Sequence, residues 1–274
     1  MTTLQTAPAA SSSSKFDNQG QYSRTGILRY EKIFGEGYIS TGGHATTEDL
    51  CARLGQSLQP GVRVLDVGSG IGGAAFHLAQ TYGARVTGID LAEEMVAIAL
   101  ERTAQLGMTD SVKFLLGDVL ETPFAEPFDI IWSRDAFMHI ADKPRLFSRL
   151  HGLMAPGGRL VITDYARGKT PASPDFERYL EKTGYHVIEP EPYGELLRAA
   201  GFVDVVVDDA TAKFVAILRS EIDRLVANRA EFLASFSEAD LNYLVERWAM
   251  KVGFCRDGDM KWGIYLATKR GSSD

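Results

Sequence analysis

A loop rich in glycine, flanked by acids, is the first feature of the 274-residue sequence that could do chemistry. The segment Asp66–Gly73 reads D-V-G-S-G-I-G-G and follows an apolar run. Glycines let a backbone turn tightly and approach a ligand without a Cβ in the way, and a helix that starts there offers free N–H groups. Asp90 ends the next apolar run, where an acid can accept hydrogen bonds from both hydroxyls of a ribose. The pattern predicts a site for a nucleoside-containing cofactor.

Two classes of cofactor fit this loop. Gly68, Gly70 and Gly73 satisfy the G-x-G-x-x-G spacing, so nicotinamide and flavin dinucleotides stay open. Asp66 favours S-adenosylmethionine, because an acid two residues before the first glycine suits an ammonium group and repels a pyrophosphate. Asp118, after the third apolar run, is placed to accept from an adenine amino group. We therefore expect S-adenosylmethionine as the cofactor.

The elements that must position these residues follow from the hydrophobic pattern. Short apolar runs alternate with helical patterns, which predicts βαβ units, a mostly parallel sheet and one α/β domain. The five predicted strands are Val62–Val67, Arg85–Asp90, Val112–Leu116, Phe128–Ser133 and Arg159–Asp164, with helices at 73–82, 93–106 and 142–154. The pattern then changes to two helices within 173–200, a strand near Val203–Val207, one long helical stretch over 211–251 and a closing strand, Lys261–Lys269. Ligands of such sheets bind at the carboxyl edge of the strands.

Composition and charge exclude several classes of function. The formal net charge of −7 disfavours nucleic acid as a partner, because a surface that follows a phosphate backbone needs excess Lys and Arg. No apolar run reaches the ~18 residues of a membrane span, and the N-terminus lacks the pattern of a secretory signal. With Cys51 and Cys255 as the two cysteines, a reducing cytoplasm is expected. Residues 1–15 are predicted to be a flexible tail.

Some polar residues are predicted to have no chemical role. The histidines away from the strand ends lack acidic or cysteine neighbours at ligand spacing, so no metal site is predicted; they are His44, His77, His151 and His186. Lys143, Arg145 and Arg149 fit a solvated helix face.

Four further motifs resemble the phosphoethanolamine N-methyltransferases, which are class I S-adenosylmethionine-dependent enzymes. They are Y-E-K-I-F-G-E-G-Y-I-S-T-G-G at Tyr30–Gly43, S-R-D-A-F-M-H at Ser133–His139, I-T-D-Y at Ile162–Tyr165 and K-W-G at Lys261–Gly263. The similarity extends from about Gln21 to Arg270. It implies a doubly wound, mostly parallel seven-stranded sheet of the Rossmann-like class I type. The domain would cover 16–270, with an N-terminal lid over about 16–45 and a helical cap from about 165–200 and 211–255.

The resemblance also implies roles for single residues. Cofactor contacts would come from the glycine loop and the strand ends: Ile39, Ser40, Asp66, Gly68, Ser69, Gly70, Asp90, Leu91, Asp118, Val119 and Arg134. Tyr22 and His139 match the catalytic pair of the family, and Asp135 matches the acid that helps hold the substrate amine. The expected substrate-binding residues are Gln21, Tyr30, Asp135, Tyr165, Tyr179, Tyr185 and Lys251. One position departs from the family pattern: Thr183 stands where an arginine is expected, which removes a bidentate phosphate partner.

The chemistry expected of these residues is an in-line methyl transfer to an amine. A substrate amine is mostly an ammonium at neutral pH, so a group must take its proton, and His139 can do so near physiological pH. Asp135 would hold the cationic substrate, and Tyr22 would bond to His139 and close over the cofactor. We expect successive methylation of phosphoethanolamine and its mono- and dimethyl intermediates toward phosphocholine, in a monomer or weak dimer whose partner is a small molecule. The alternatives are another amine, thioether or carboxylate acceptor, and a non-catalytic S-adenosylmethionine-binding protein.

Overall fold

A seven-stranded sheet forms the centre of the protein. The computed structural model describes residues 20–271, so the predicted flexible tail, residues 1–15, lies outside the described residues. The strands are β1 (Arg63–Val67), β2 (Arg85–Asp90), β3 (Val112–Leu116), β4 (Phe128–Arg134), β5 (Met154–Arg167), β6 (Phe202–Asp209) and β7 (Met260–Lys269). Their order is β3-β2-β1-β4-β5-β7-β6, and β7 runs antiparallel to both of its neighbours. The predicted doubly wound, mostly parallel sheet is confirmed.

Ten α-helices surround the sheet in the described part of the chain. They are α1 (Arg24–Phe34), α2 (Gly43–Leu54), α3 (Gly73–Tyr82), α4 (Glu93–Gln105), α5 (Lys143–Leu153), α6 (Pro174–Thr183), α7 (Pro190–Ala199), α8 (Thr211–Ala227), α9 (Arg229–Leu233) and α10 (Glu238–Arg256). Short 3₁₀ turns lie at Gly20–Tyr22, Gly55–Ser57 and Phe137–His139. No helix among residues 20–271 is long and apolar enough to span a bilayer.

Alternation along the central strands divides the core into two layers. Successive side chains of a strand point to opposite faces, so neighbours enter different layers. On β1, Val64 packs in the layer that contains α2 and α3, whereas Leu65 packs in the layer of α5 and α7. The strands are apolar on both faces because helices cover both sides. Helices on both faces leave the carboxyl edge of the parallel strands as the place for a site.

The chain over 211–251 differs from the single long helical stretch that was predicted. It forms α8, α9 and α10, with breaks at Asn228 and before Ser237. Ser237 is the N-cap of α10, where its hydroxyl accepts from the Asp240 N–H and the Asp240 carboxylate accepts from the Ser237 N–H. This capping box satisfies free N–H groups of a new helix, which explains why a helix starts here.

Strand β5 is longer than predicted at both ends. The segment 156–158 (Pro-Gly-Gly), which precedes the predicted strand, lies inside β5, where the register against β4 shifts between Phe128 and Ile130. Pairing with the antiparallel β7 then continues to Arg167, which lies opposite Met260. The antiparallel neighbour extends β5 beyond the length that the apolar run indicates.

Helices α1, α8 and α10 pack against one another beyond the carboxyl edge of the sheet. Aromatic side chains form much of the contact: the ring of Trp248 on α10 lies 5.0 Å from Phe34 and 5.9 Å from Tyr30, both on α1. Phe254 follows Trp248 on α10, and its ring centre is 5.1 Å from that of Phe176 on α6. These helices bring side chains from both ends of the chain to the same edge of the sheet.

Candidate functional site

A cavity of about 200 Å³ lies at the carboxyl ends of β1, β2, β4 and β5. Most of the predicted site residues line it: Gln21, Tyr22, Tyr30, Ile39, Ser40, Asp66, Gly68, Ser69, Gly70, Asp90, Leu91, Asp118, Val119, Arg134, Asp135, His139, Tyr165, Tyr185 and Lys251. Tyr179 and Thr183 do not line it. Residues separated by more than 200 positions in sequence thus share one cavity.

Two glycines of the loop after β1 occupy positions that leave no room for a side chain. Gly68 has a φ of 73°, and a Cβ there would lie 2.4 Å from Cβ of Ala136. Gly70 has a φ of 54°, and its Cβ would lie 2.6 Å from Cδ1 of Ile39. Positive φ angles of this size favour glycine. The loop therefore keeps its backbone close to the cavity.

Asp90 holds this loop against β2. One carboxylate oxygen accepts from the Gly70 N–H at 2.8 Å and the other from the Ala92 N–H at 2.9 Å. Burial raises the pKa of Asp90, and these backbone bonds oppose the rise. Each carboxylate oxygen keeps a second lone pair, so the fixed carboxylate can also accept from a ligand hydroxyl. Its predicted contact with a ribose stays a prediction.

Asp66 is the most unusual group of the cavity. It is 2% exposed, and its Oδ2 has no hydrogen-bond partner among the described residues. Burial raises its pKa to about 7, with Arg134 opposing the rise. The buried hydroxyl of Ser69 also lacks a partner among residues 20–271. Buried polar groups are normally paired, so these two atoms fit a polar, cationic ligand group such as the amino-acid end of S-adenosylmethionine.

The other side of the predicted cofactor site lies after β2 and β3. The Asp118 carboxylate accepts from the Leu120 N–H at 2.9 Å, which orients the turn after β3. Val119 is buried and Leu91 is 43% exposed, so the two apolar side chains differ in their access to solvent. An adenine base could pack against the side chains of Leu91 and Val119, with the Asp118 carboxylate near its edge.

Arg134 at the end of β4 supports the segment that carries Ile39 and Ser40. Its guanidinium donates to the Gly43 carbonyl at 2.8 Å and to the Thr47 hydroxyl at 2.7 Å, and it also donates to the Thr41 carbonyl. These bonds fix the loop between α1 and α2 over the sheet edge. The predicted contact of Arg134 with the cofactor stays a prediction.

Asp135 is held in a strained backbone conformation with its carboxylate fixed on several sides. Its φ is 49°, which is uncommon for a residue with a side chain. One oxygen accepts from the Thr163 hydroxyl at 2.9 Å and from Nε1 of Trp262 at 2.8 Å, and the other accepts from the Thr41 N–H at 2.9 Å. Such strain persists only where the surroundings impose it, typically at functional sites.

His139 and Tyr22 meet across the cavity, as predicted. The Tyr22 hydroxyl lies 3.2 Å from Nε2 of His139, although the two residues are 117 positions apart. Burial raises the pKa of Tyr22 well above its ordinary value, so the phenol is neutral near pH 7. The ring of Tyr185 packs edge-on against the imidazole at 5.0 Å. The pair is therefore held between the N-terminal turn and the loop after α6.

Lys143 is not part of a solvated helix face, and that prediction was wrong. The side chain is 3% exposed, and Nζ donates to the carbonyls of Phe137 at 2.8 Å and Ile140 at 2.6 Å. Arg149 also departs from the prediction, since it donates to the Val119 carbonyl at 3.2 Å. Position N1 of a helix lets a long side chain fold back under the preceding turn, which is here the turn that carries His139.

Lys251 and Tyr165 form the other end of the cavity. Lys251 is 3% exposed, and its Nζ donates to the Tyr165 hydroxyl at 2.9 Å and lies 4.4 Å from the Trp248 ring centre. Burial, together with repulsion from Arg247, lowers the pKa of Lys251 to about 7, against the attraction of Asp135. No carboxylate among residues 20–271 forms a salt bridge with it. An anion bound here would favour the charged form of Lys251, which burial disfavours.

Tyr179, which was predicted to bind the phosphate, and Thr183, which stands where an arginine was expected, both lie outside the cavity. Tyr179 is 6% exposed, with its ring 5.8 Å from that of Tyr185, and it packs behind the cavity wall. The Thr183 hydroxyl donates back to the Tyr179 carbonyl at 2.8 Å, within its own helix. The role of Tyr179 stays a prediction, and Thr183 does not reach the cavity.

Three side chains at this site were given no role from the sequence. Arg247 and Trp248 on α10 line the cavity, and Trp262 on β7 fixes Asp135. A signal for Arg247 was present, because it precedes Lys251 by one helical turn and residues four apart share a face. Within residues 20–271, no group of three or more His, Cys, Asp or Glu is placed to hold a metal ion.

Comparison with known proteins gives the family. A family model described as a methyltransferase domain matches residues 58–201. The chain is 43% identical to phosphoethanolamine N-methyltransferase 1 of Triticum aestivum over 93% of its own length and 51% of that relative. It is 35% identical to phosphoethanolamine N-methyltransferase of Plasmodium falciparum over 93% of its own length and 95% of that relative. The chain thus spans about half the length of its plant relatives and nearly all of the Plasmodium protein.

A solved structure agrees with this result. Phosphoethanolamine N-methyltransferase 2 of Haemonchus contortus, in complex with phosphomonomethylethanolamine and S-adenosylhomocysteine, superposes with a TM-score of 0.89 at 36% identity. The match covers 93% of this chain and 60% of that one. The class I methyltransferase fold that the motifs implied is confirmed. On the strength of the Plasmodium relative and of this shared fold, the chain belongs to the phosphoethanolamine N-methyltransferase family.

Proposed function

We propose that the chain is an S-adenosylmethionine-dependent N-methyltransferase that acts on phosphoethanolamine and its mono- and dimethyl forms. The observation that carries this proposal is the charge arrangement of the cavity. A buried carboxylate, Asp66, lies beside the glycine loop, and a buried lysine, Lys251, lies among tyrosines at the other end. Asp135 and the Tyr22–His139 pair line the same cavity. This arrangement suits a cationic methyl donor at one end and an anionic acceptor at the other.

The residues around the glycine loop support the choice of cofactor. The partnerless Oδ2 of Asp66 fits an ammonium, and it would repel the pyrophosphate of a dinucleotide. Asp90 and Asp118 supply fixed carboxylates for a ribose and an adenine amino group. When bound, S-adenosylmethionine supplies an electrophilic methyl group on a positively charged sulfur. The nicotinamide and flavin alternatives are disfavoured by the buried acid.

The chain's own residues would orient the amine and take its proton. Asp135, fixed by Thr163 and Trp262, would hold the substrate ammonium by charge. The neutral Tyr22 phenol, 3.2 Å from Nε2 of His139, would donate to that nitrogen, so a proton from the ammonium could pass to the phenol oxygen as the phenol proton passes to Nε2. The lone pair left on the amine nitrogen would then be free to attack the methyl group that bound S-adenosylmethionine would supply, with S-adenosylhomocysteine as the other product. Aromatic walls exclude water and can face the cationic product.

The N-terminal elements would act as a lid, and α6, α8 and α10 as a cap. The turn Gly20–Tyr22 supplies Tyr22, and α1 supplies Tyr30 to the cavity. The Tyr30 hydroxyl lies 3.1 Å from that of Tyr243 on α10, which joins lid to cap. We propose that these contacts close the cavity after the ligands have entered.

A second acceptor class stays open because of Thr183. The Thr183 hydroxyl bonds within its own helix, so α6 contributes no hydrogen-bond donor to a phosphate at that position. An acceptor without a phosphate, such as another small amine, would need none. The buried charge of Lys251 favours the phosphate-bearing acceptor.

The test is methyl transfer by purified protein with labelled S-adenosylmethionine. We expect mass spectrometry to show mono-, di- and trimethylated products from phosphoethanolamine. Ethanolamine, which lacks the phosphate, should give little product. An Arg256→Ala variant, changed at an exposed residue of α10, serves as the matched control. Methylation of another acceptor without any methylated phosphoethanolamine would overturn the proposal.

A further inference from the structure

We propose that Arg247 supplies the guanidinium that recognises the acceptor's phosphate, from α10 rather than from the Thr183 position on α6. The inference rests on the proposed function and deepens it: it assigns the phosphate fork of this chain to a residue outside the motifs. The phosphate would lie between Arg247 and Lys251, which are one helical turn apart on the same face of α10.

The position of Arg247 carries the inference. It is half-buried and lines the cavity together with Lys251 and Tyr185. No carboxylate of residues 20–271 lies within salt-bridge distance of its guanidinium, although most arginines of that range that point away from the cavity have such a partner. An arginine kept in a cavity without an acid is placed for an anion that comes from outside the chain.

The neighbouring groups agree with an anion site. Burial raises the pKa of Tyr185, and the Arg247 guanidinium opposes the rise, so the two side chains lie close together. Arg247 and Lys251 repel each other, and neither forms a salt bridge with an acid of residues 20–271, although Asp135 and Glu221 attract Lys251. Both acids also have other bonds: Asp135 accepts from Trp262, and Glu221 accepts from Trp248 and from the Gly42 N–H. A phosphate dianion would balance both cations at once.

A guanidinium is the chemically suitable group for this task. Its planar fork can donate two parallel hydrogen bonds to two phosphate oxygens, which a lysine cannot do. The family pattern has an arginine, and so such a fork, at the position of Thr183. Here the Thr183 hydroxyl instead donates to the Tyr179 carbonyl. Arg247 would supply the fork from α10 instead, so Thr183 need not weaken phosphate binding.

The experiment compares Arg247→Ala, Arg247→Lys and the control Arg256→Ala. We expect Arg247→Ala to raise KM for phosphoethanolamine by about 10- to 100-fold, the loss of a charged bidentate contact, with a much smaller change in kcat. Arg247→Lys keeps the charge without the fork and should lie between wild type and Arg247→Ala. The affinity for S-adenosylhomocysteine, measured by calorimetry, should stay at the wild-type value and shows that each variant is folded. Arg256→Ala should match wild type.

A second arm separates recognition from structural support. Adding Thr183→Arg to Arg247→Ala should lower KM again, because the fork would return from α6. Inorganic phosphate should inhibit wild type competitively and inhibit Arg247→Ala at least tenfold more weakly. If wild type methylates phosphoethanolamine and Arg247→Ala keeps its KM, the inference is overturned and the proposed function stands. If wild type neither binds nor methylates phosphoethanolamine, both are overturned together.

Discussion

The buried lysine at the end of the cavity gives a stability prediction that needs no substrate. Lys251 has a pKa near 7 in the folded protein because of burial, against an ordinary value of 10.5. Between these two values the unfolded chain binds one more proton than the folded protein, so the free energy of unfolding rises with pH. The variant Lys251→Met has an apolar side chain of similar length that does not titrate, so its free energy of unfolding lacks this pH-dependent contribution.

The size of the effect follows from the pKa difference. One pH unit is worth about 1.4 kcal/mol when a single proton separates the two states. From about pH 7.5 to about pH 9, wild type should therefore gain about 2 kcal/mol over Lys251→Met in free energy of unfolding. Lys251 is 3% exposed, so screening by solvent does not reduce the effect. Urea unfolding followed by circular dichroism measures it.

The difference between the two proteins isolates Lys251 from most other titrating groups. The charged and titratable groups that act on it are Arg247, Asp135, Glu221 and Cys255, and burial holds the pKa of its hydrogen-bond partner Tyr165 well above the ordinary value. Burial raises the pKa of Cys255 to about 12, so this thiol stays neutral over the range used. Inorganic phosphate should flatten the pH dependence of wild type, because a bound anion raises the pKa of Lys251. A wild-type minus variant difference that stays constant with pH would refute the reasoning.

Three further predictions concern the cofactor half and the proton-accepting pair. Asp66→Asn should weaken S-adenosylhomocysteine binding at least tenfold by calorimetry, without loss of stability, because it removes a buried charge and the counter-ion of an ammonium. Gly68→Ala should lower the free energy of unfolding by about 1–3 kcal/mol and abolish cofactor binding, since the new Cβ would lie 2.4 Å from Ala136 at a positive φ. His139→Ala should lower kcat by about 100-fold or more while the affinity for S-adenosylhomocysteine stays unchanged.

Each of these predictions has an outcome that would contradict it. Full cofactor affinity in Asp66→Asn would show that the buried carboxylate does not face the ligand. A Gly68→Ala protein with wild-type stability would show that the loop can move away from Ala136. Equal losses of turnover and cofactor affinity in His139→Ala would show that the imidazole supports the site structurally rather than taking a proton.

The βαβ half of the fold could be predicted from the sequence because each of its strands is a short buried run bounded by turn residues. Strands β2 and β3 and helix α3 have the predicted bounds. Failures lie where local pattern and tertiary contact disagree. The long stretch over 211–251 has helical periodicity throughout, and only the capping box at Ser237 marks the start of α10. The extra length of β5 at its C-terminal end comes from β7, which is about 100 residues further along the chain, and the N-terminal extension pairs with β4.

The candidate site divides in the same way. The glycine loop, Asp66 and Asp90 could be found because one strand–turn–helix unit carries them close together in sequence. Lys143 could not be placed, because its solvent exposure depends on how its side chain folds back beneath the turn at Phe137. Arg247 lies outside every recognised motif, and only the packing of α10 beside the sheet edge turns it toward the cavity.

The contact between Tyr22 and His139 has a kinetic consequence. None of the three residues of the turn Gly20–Tyr22 is fully buried, and the Gly20 carbonyl accepts from the hydroxyl and the N–H of Ser23. Segments with so little burial open locally at a small fraction of the global unfolding free energy. Under the proposed function, product escape would require this turn to detach. Its detachment rate, observable by hydrogen exchange, would then set an upper limit on how often each molecule can complete a cycle.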